Sequence, residues 1–207
     1  GNLPLGDDKL IGFGVNAGVM LSFNDTRVGI NYRSSVKIKL DGGDATFSNI
    51  PSSLISNGTF PEAASFNSEI TLPGVASLGI GRTINDQLLL NLDVNYTFWS
   101  VYDSLNFIFS DNPSLDNRNG RKYENSFAVR LGAQYKYTER LNVRGGLAFD
   151  KSPVQDGYVS PELPDADRFI VSAGFSLKLK KGWSVEGTLL FEDVRERKEE
   201  NNEQNNF

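Results

Sequence analysis

Four stretches of this chain alternate apolar and polar side chains along their whole length, and the connections between stretches are alternately very short and very long. In residues 87–99, Leu88, Leu90, Leu92, Val94, Tyr96 and Phe98 fall on one side, and Leu89, Asn91, Asp93, Asn95 and Thr97 on the other. A period of two describes a β-strand with one dry face and one wet face. The pattern recurs at 127–137, 141–150 and 168–180, with no charge on the apolar side of any of the four. Residues 11–23, 27–40, 69–82 and 183–191 are further candidates, which makes eight strands in four hairpins, and no amphipathic helix stands out. Tight links fall at Asn24-Asp25, Asn85-Asp86, Thr138-Glu139-Arg140 and Lys181-Gly182, while the spacers between them occupy 41–67, 102–124 and 151–167. All turns therefore lie at one end of the sheet and all long loops at the other, the asymmetry of an antiparallel up-and-down transmembrane β-barrel. The competing fold, a soluble β-sandwich, has strands of about five or six residues and loops that are not sorted by length.

Averages conceal this pattern. A mean hydropathy of -0.34 is that of an ordinary water-soluble protein, and no apolar run is long enough for a transmembrane helix. In a barrel strand, half the side chains face a polar lumen, so the hydropathy of the segment cancels. Phe23, Tyr96, Trp99, Tyr135, Tyr137 and Trp183 cluster near strand ends, where rings with an apolar body and a polar edge settle at the lipid headgroups.

The chain contains neither histidine nor cysteine. Ser-His-Asp and Cys-His nucleophile pairs and His-based zinc sites are therefore out of reach, and an enzyme is not expected. Residues 111–119 are dense in Asp and Asn but read as a solvated loop, so no metal site is expected. There is no Gly-rich phosphate loop and no cofactor is expected. A net charge of -5 argues against nucleic acid as a partner.

Gly12-Phe13-Gly14-Val15-Asn16-Ala17-Gly18, Tyr32-Arg33-Ser34-Ser35-Val36-Lys37-Ile38 and Tyr96-Thr97-Phe98-Trp99-Ser100 resemble successive signatures of the FadL/TodX-type outer membrane long-chain fatty acid transporters. Ala148-Phe149-Asp150-Lys151-Ser152-Pro153-Val154 resembles the family's A-F-D-x-S-P-V stretch, and Pro164-Asp165-Ala166-Asp167-Arg168-Phe169 its P-D-x-D-R-F stretch. The five follow in order across nearly the whole chain. The resemblance implies a barrel of fourteen strands in the bacterial outer membrane, with an N-terminal hatch in the lumen. It also implies passive, ligand-gated passage of long-chain fatty acids or other hydrophobic compounds, captured by outer loops and released through a lateral opening. On that view the chain supplies about eight strands of the later barrel, residues 1–191, followed by a polar, loop-like tail over 192–207. The hatch and the closing strand would be contributed from outside this segment. Outer membrane lipid, the remaining strands and the hatch are the expected partners.

A fatty acid needs a greasy slot for its tail and a cation for its carboxylate. Apolar capture residues are expected in the first two long loops, at Leu54, Ile55, Phe60, Phe66, Leu105, Phe107 and Phe109, although residues 105–109 also read as a strand packed on its neighbour. In the family a lysine just before the strand at 123–137 helps to hold the carboxylate; alignment places Asn119 there, with Arg118, Arg121 and Lys122 as substitutes. Alternation puts Arg33, Lys37, Asp93, Arg130, Lys136, Arg144, Asp150, Lys178 and Glu186 on the lumen side, where cross-strand salt bridges are the expected role. Asp150 and Arg168 are expected to brace the connection over 151–167. The alternative to transport is a structural or adhesive outer membrane barrel whose loops bind a ligand and conduct nothing.

Overall fold

The computed structural model describes residues 10–56, 61–159 and 164–197. Its main element is an antiparallel sheet of eight strands in strictly sequential neighbour order: β1 (Asn16–Phe23), β2 (Thr26–Arg33), β5 (Val75–Thr83), β6 (Leu88–Thr97), β9 (Ser126–Lys136), β10 (Leu141–Asp150), β11 (Arg168–Lys178) and β12 (Ser184–Val194). The intervening strands β3 (Val36–Thr46), β4 (Ala63–Leu72), β7 (Ser104–Ile108) and β8 (Asn117–Gly120) form a second, four-stranded sheet. It is made wholly from the first two long connections.

Register turns the period-two pattern into a surface. Leu21, Val28, Ile80, Leu92, Leu131, Leu147, Val171 and Phe191 are successive cross-strand partners, an unbroken apolar row across all eight wall strands. One residue out of phase runs the opposite row, Met20, Gly29, Gly79, Asp93, Arg130, Ala148, Ile170 and Glu192. No second layer covers the apolar face among the described residues: Leu131 is 53% exposed and Leu189 82%. A sandwich would bury these side chains, so the fold is a segment of barrel wall whose greasy side faces lipid. The sheet is open, with β1 and β12 as its edges.

The four wall hairpins turn at one end, by local chemistry. Asn24 takes φ 48° in the first turn, a conformation asparagine tolerates better than most residues. The Asn85 side chain accepts the N–H groups of Gln87 and Leu88, both at 2.9 Å, and Thr138 Oγ1 those of Arg140 and Leu141 at 3.2 and 3.0 Å. Lys181 and Gly182 close the last turn with φ of 62° and 79°. Phe23, Tyr135, Tyr137 and Trp183 flank these turns. Tyr32, Tyr96, Phe98 and Phe127 form the upper band, with Tyr96 and Phe98 rings 5.1 Å apart. Phe127 and Tyr135 are eight residues apart on β9, which at about 3.3 Å per residue and a tilt of about 40° separates the bands by roughly 20 Å.

Several boundaries depart from the sequence reading. The expected strands at 27–40 and 69–82 are each two strands, broken at Ser34-Ser35 and Pro73-Gly74. Pro73 has no N–H for the ladder. Gly74 packs so closely that a Cβ there would meet the Arg33 carbonyl oxygen at 2.9 Å. Ser34 turns instead to Val15, its N–H donating to the Val15 carbonyl and its hydroxyl accepting the Val15 N–H, both at 2.9 Å. Above the break the hairpin resumes in the same register, Arg33 opposite Val75 and then Val36 opposite Leu72. The ladder of β1 starts at Asn16 rather than residue 11, a one-turn helix α1 (Ser52–Ser56) lies in the first long connection, and β12 runs to Val194.

The two clusters of buried apolar side chains lie above the wall. Ala45, Phe66 and Phe109 form one cluster in the four-stranded sheet, and Tyr102, Tyr123 and Val154 a second where all three long connections meet. Trp99 belongs to this second cluster, 5.7 Å from the Tyr123 ring, and not to the lipid-facing band expected for it.

Candidate functional site

The wall's inner face is polar and sparsely filled. Gly18, Gly29, Gly79, Gly81, Gly132, Gly146 and Gly174 all lie on it, whereas only Gly145 and Gly187 lie on the outer face of these strands. Between β1, β2, β5 and β6 the missing side chains leave a recess of about 650 Å³, and Asp93 and Asn91 lie across Gly79 and Gly81, where a Cβ would meet their Oδ1 atoms at 2.8 Å.

The register sets Arg33, Asp93, Arg130, Lys136, Arg144, Asp150, Lys178 and Glu186 on this face. Lys37 lies above it, on β3, where its Nζ is 2.6 Å from Glu69. Some of the cations are tied to neighbouring strands or turns. Arg144 donates to Gln134 at 2.9 Å and lies 3.9 Å from Glu186, and Lys136 is 2.7 Å from Glu139. That hydrogen bond holds the Glu139 carboxyl below its usual range.

At the upper end of the inner face a cavity of about 320 Å³ lies beneath the 151–167 connection. Its roof is a hydrogen-bonded knot made by the two motif stretches at 148–154 and 164–169. The Ser152 N–H donates to Asp167 Oδ1 and its hydroxyl to Asp165 Oδ2, both at 2.9 Å, while Arg168 donates to Asp165 Oδ1 at 2.5 Å. Asp150 stands opposite Arg168 in the ladder, yet the ion pairs of Arg168 are to Asp165 and, at 3.8 Å, Glu192. The expected Asp150–Arg168 brace is therefore replaced by Asp165–Arg168, because the side chain of Arg168 turns toward the loop. From beyond β12, Arg197 donates to the carbonyls of Val154 and Asp165 at 2.9 and 3.2 Å and to Asp156 at 2.5 Å. Sequence reasoning missed Ser152, Asp165, Asp167 and Arg197. The signal for Ser152, Asp165 and Asp167 was the pair of dense polar motifs, whose partners only the folded loop brings together; Arg197 lies outside both motifs and carried no such signal.

The other site candidates disperse. Arg118 pairs with Asp116 at 3.3 Å on β8; Lys122, at φ 44°, places its Nζ 5.1 Å from the Tyr158 ring centroid; Arg121 is buried, its N–H donating to the Asp103 carbonyl at 2.6 Å. Burial pushes the neighbouring Tyr123 phenol up, against the opposing effect of Arg121. Phe66, Phe107 and Phe109 do converge, with ring centroids 5.5 and 5.8 Å from Phe66, but as a packed cluster within the four-stranded sheet. Leu105 packs against the Tyr102, Tyr123 and Val154 cluster, Leu54 and Ile55 sit on α1, and Phe60 lies outside the described residues.

A family model described as outer membrane protein transport protein (OMPP1/FadL/TodX) matches residues 5–206. Outer membrane protein P1 of Haemophilus influenzae is 32% identical over 185 residues, covering 89% of this chain and 38% of that protein. The long-chain fatty acid transport protein of Escherichia coli K12 is 29% identical over 183 residues, covering 84% of this chain and 40% of that protein. The chain thus spans about two-fifths of the length of these curated relatives. Among solved structures, a Pseudomonas aeruginosa FadL homologue superposes with a TM-score of 0.78 at 23% identity, covering 88% of this chain and 44% of that one. The CymD monoaromatic hydrocarbon channel superposes with a TM-score of 0.58 at 22% identity, covering 89% of this chain and 47% of that one. Both share the fold.

Proposed function

The chain belongs to the OMPP1/FadL/TodX family of outer membrane transport proteins, and from that premise we propose that it forms part of a passive conduit for long-chain fatty acids or similar hydrophobic compounds. One observation carries the reading: a continuous apolar row on the outer face backs onto an inner face rich in glycine. The first demands lipid, and the second leaves a bore that the wall's own side chains do not fill. Such a bore would leak small solutes unless something else occupied it, which supports a separate plug of the hatch type supplied from outside this segment. Ligand movement then needs no covalent step. Differential affinity between outer loops and lumen, with a concentration gradient, is sufficient to drive it.

The names of relatives support the substrate class, since one is a long-chain fatty acid transport protein and another a monoaromatic hydrocarbon channel. The test is uptake of labelled oleate and of toluene by cells that lack their own route and express the gene product carrying this chain. Saturable entry of either compound above the empty-vector rate is expected. Entry indistinguishable from the vector control, with the protein present in the outer membrane, would favour a structural or adhesive barrel.

A further inference from the structure

The outer face of the eight wall strands is uncharged among the described residues except at two positions, Asp193 at the upper end of the edge strand β12 and Arg82 near the turn end of β5. Arg82 alternates with Leu78 and Ile80 and stands in the ladder between Thr26 of β2 and Leu90 of β6, so its parity is that of the lipid-facing row. The side chains of Arg82 and Thr26 are engaged in neither a hydrogen bond nor an ion pair among the described residues, and no carboxylate shares that part of the face. Arg82 lies two positions from Ile84, whose N–H donates to the Leu88 carbonyl at 2.8 Å to close the turn. In the next wall hairpin Tyr135 holds the same place, two positions from Tyr137, and Phe23 begins the cross-strand row that contains Arg82. The cation therefore lies in the lower aromatic band, level with lipid headgroups.

An arginine cannot shed its charge at that depth, but its long stem lets the guanidinium reach the boundary of the hydrocarbon. The anion it meets there is a lipid phosphate, which a guanidinium holds through two parallel hydrogen bonds. Thr26 stands directly across the ladder, and with Cβ atoms of such a pair about 5 Å apart its hydroxyl can donate to the same phosphate. The surrounding rim favours an anionic lipid over a neutral one. Residues 21–28, 82–89, 135–143 and 178–185, which carry the four turns, hold seven Lys or Arg and three Asp or Glu. That is an excess of four positive charges in a chain of net charge -5, so the remainder carries -9. The turns of such barrels are periplasmic, which places the rim against the inner leaflet.

We propose that Arg82 and Thr26 form a headgroup site on the outside of the barrel for an anionic phospholipid of the inner leaflet, with Arg82 holding the phosphate. The proposal needs the lipid-facing assignment of this face and not the transport reading above. For its test, the gene product carrying this chain is purified in nonionic detergent and titrated with dioleoylphosphatidylglycerol, dioleoylphosphatidylcholine or dioleoylglycerol, and retained lipid is counted by native mass spectrometry. The parent should retain phosphatidylglycerol most strongly and dioleoylglycerol, which has the same tails and no phosphate, least. R82Q should weaken phosphatidylglycerol by about fivefold and leave dioleoylglycerol unchanged, while R82K should keep part of the preference as a point charge. T26V should show a smaller loss in the same direction and serves if R82Q does not fold. R27Q removes a cation one residue from Thr26 but on the inner face, opposite Gly81, and should leave the lipid affinity unchanged. A parent that holds phosphatidylglycerol no better than dioleoylglycerol, or an R82Q protein that binds as the parent does, overturns the proposal. Equal losses in R27Q and R82Q would mean diffuse charge attraction, and displacement of the lipid by an equal concentration of inorganic phosphate would mean a free-anion site; either result also overturns it. Uptake of oleate should be the same in R82Q as in the parent, which separates this site from the conduit.

Discussion

Leu92→Arg, compared with Asn91→Arg one residue earlier, tests the assignment of the two faces most directly. Leu92 lies four residues from Leu88 and five from Thr97, the ends of β6. At about 3.3 Å per residue and a tilt of about 40°, those intervals correspond to roughly 10 and 13 Å of height, which puts Leu92 near the middle of an apolar band about 25 Å tall. Its cross-strand partners Ile80 and Leu131 are apolar, so no neighbour can take up a guanidinium. Arginine at the midplane of a barrel's lipid face costs about 2–4 kcal/mol, equivalent to a roughly 30- to 900-fold shift in the folding equilibrium. Asn91 points the other way, between Gly81 and Gly132, into open space on the wet side. Arginine there should change stability by no more than about 0.5 kcal/mol. The assay is reversible folding of the gene product into lipid vesicles over a denaturant series, read from tryptophan fluorescence. A similar loss at both positions, or a larger one at Asn91, would refute the orientation and with it the lipid-facing row.

Two further outcomes follow from the upper structure. Asp165→Asn removes the carboxylate charge and one of the two oxygens that accept from Ser152 and Arg168, and should destabilise the loop locally by about 1–3 kcal/mol. Hydrogen exchange at the Ser152 and Val154 amides should accelerate while the wall amides of β9 and β10 stay protected; unchanged exchange would deny the knot its role. Glu69 is held below the usual carboxylate range, first by its hydrogen bond to Lys37 and then by charge attraction to Lys37 and Lys39. Because the folded value is the lower one, the pairing contributes fully at neutral pH and is lost as pH falls through that lowered value. E69Q should therefore loosen the β3–β4 hairpin at pH 7 and make no difference in strong acid, measured by exchange of the β3 amides. A deficit that persists in strong acid would contradict the ion-pair account.

The wall was legible because its physics is periodic. Lipid on one side and water on the other force every second side chain of β6, β9, β10 and β11 into the same class, and the turn chemistry of Asn85, Thr138 and Gly182 marks where the strands reverse. The upper sheet was not legible in the same way. β3 and β4 continue the hairpin of β2 and β5, and only the contacts of Ser34 and Gly74 reveal that the ladder breaks between them. Residues 105–109 admitted both a binding loop and a packed strand, and the pairing of β7 with β4 and β8 decided for the strand.

For the candidate site the division is sharper. Alternation alone put Arg130, Arg144 and Asp150 on the wet face, since side-chain direction in a strand depends only on parity. Which cation is paired and which is open cannot follow from parity. That depends on which groups come within reach in the folded chain: Asp165 of the third long connection takes Arg168, Glu186 of β12 approaches Arg144, and Arg130 is left facing the cavity. The sequence by itself determined a two-faced wall with loops gathered at one end, because solvent partition acts residue by residue. The tertiary structure alone decided the roof, the cavity and its open cations, because those arise from contacts between segments with no fixed spacing in the chain.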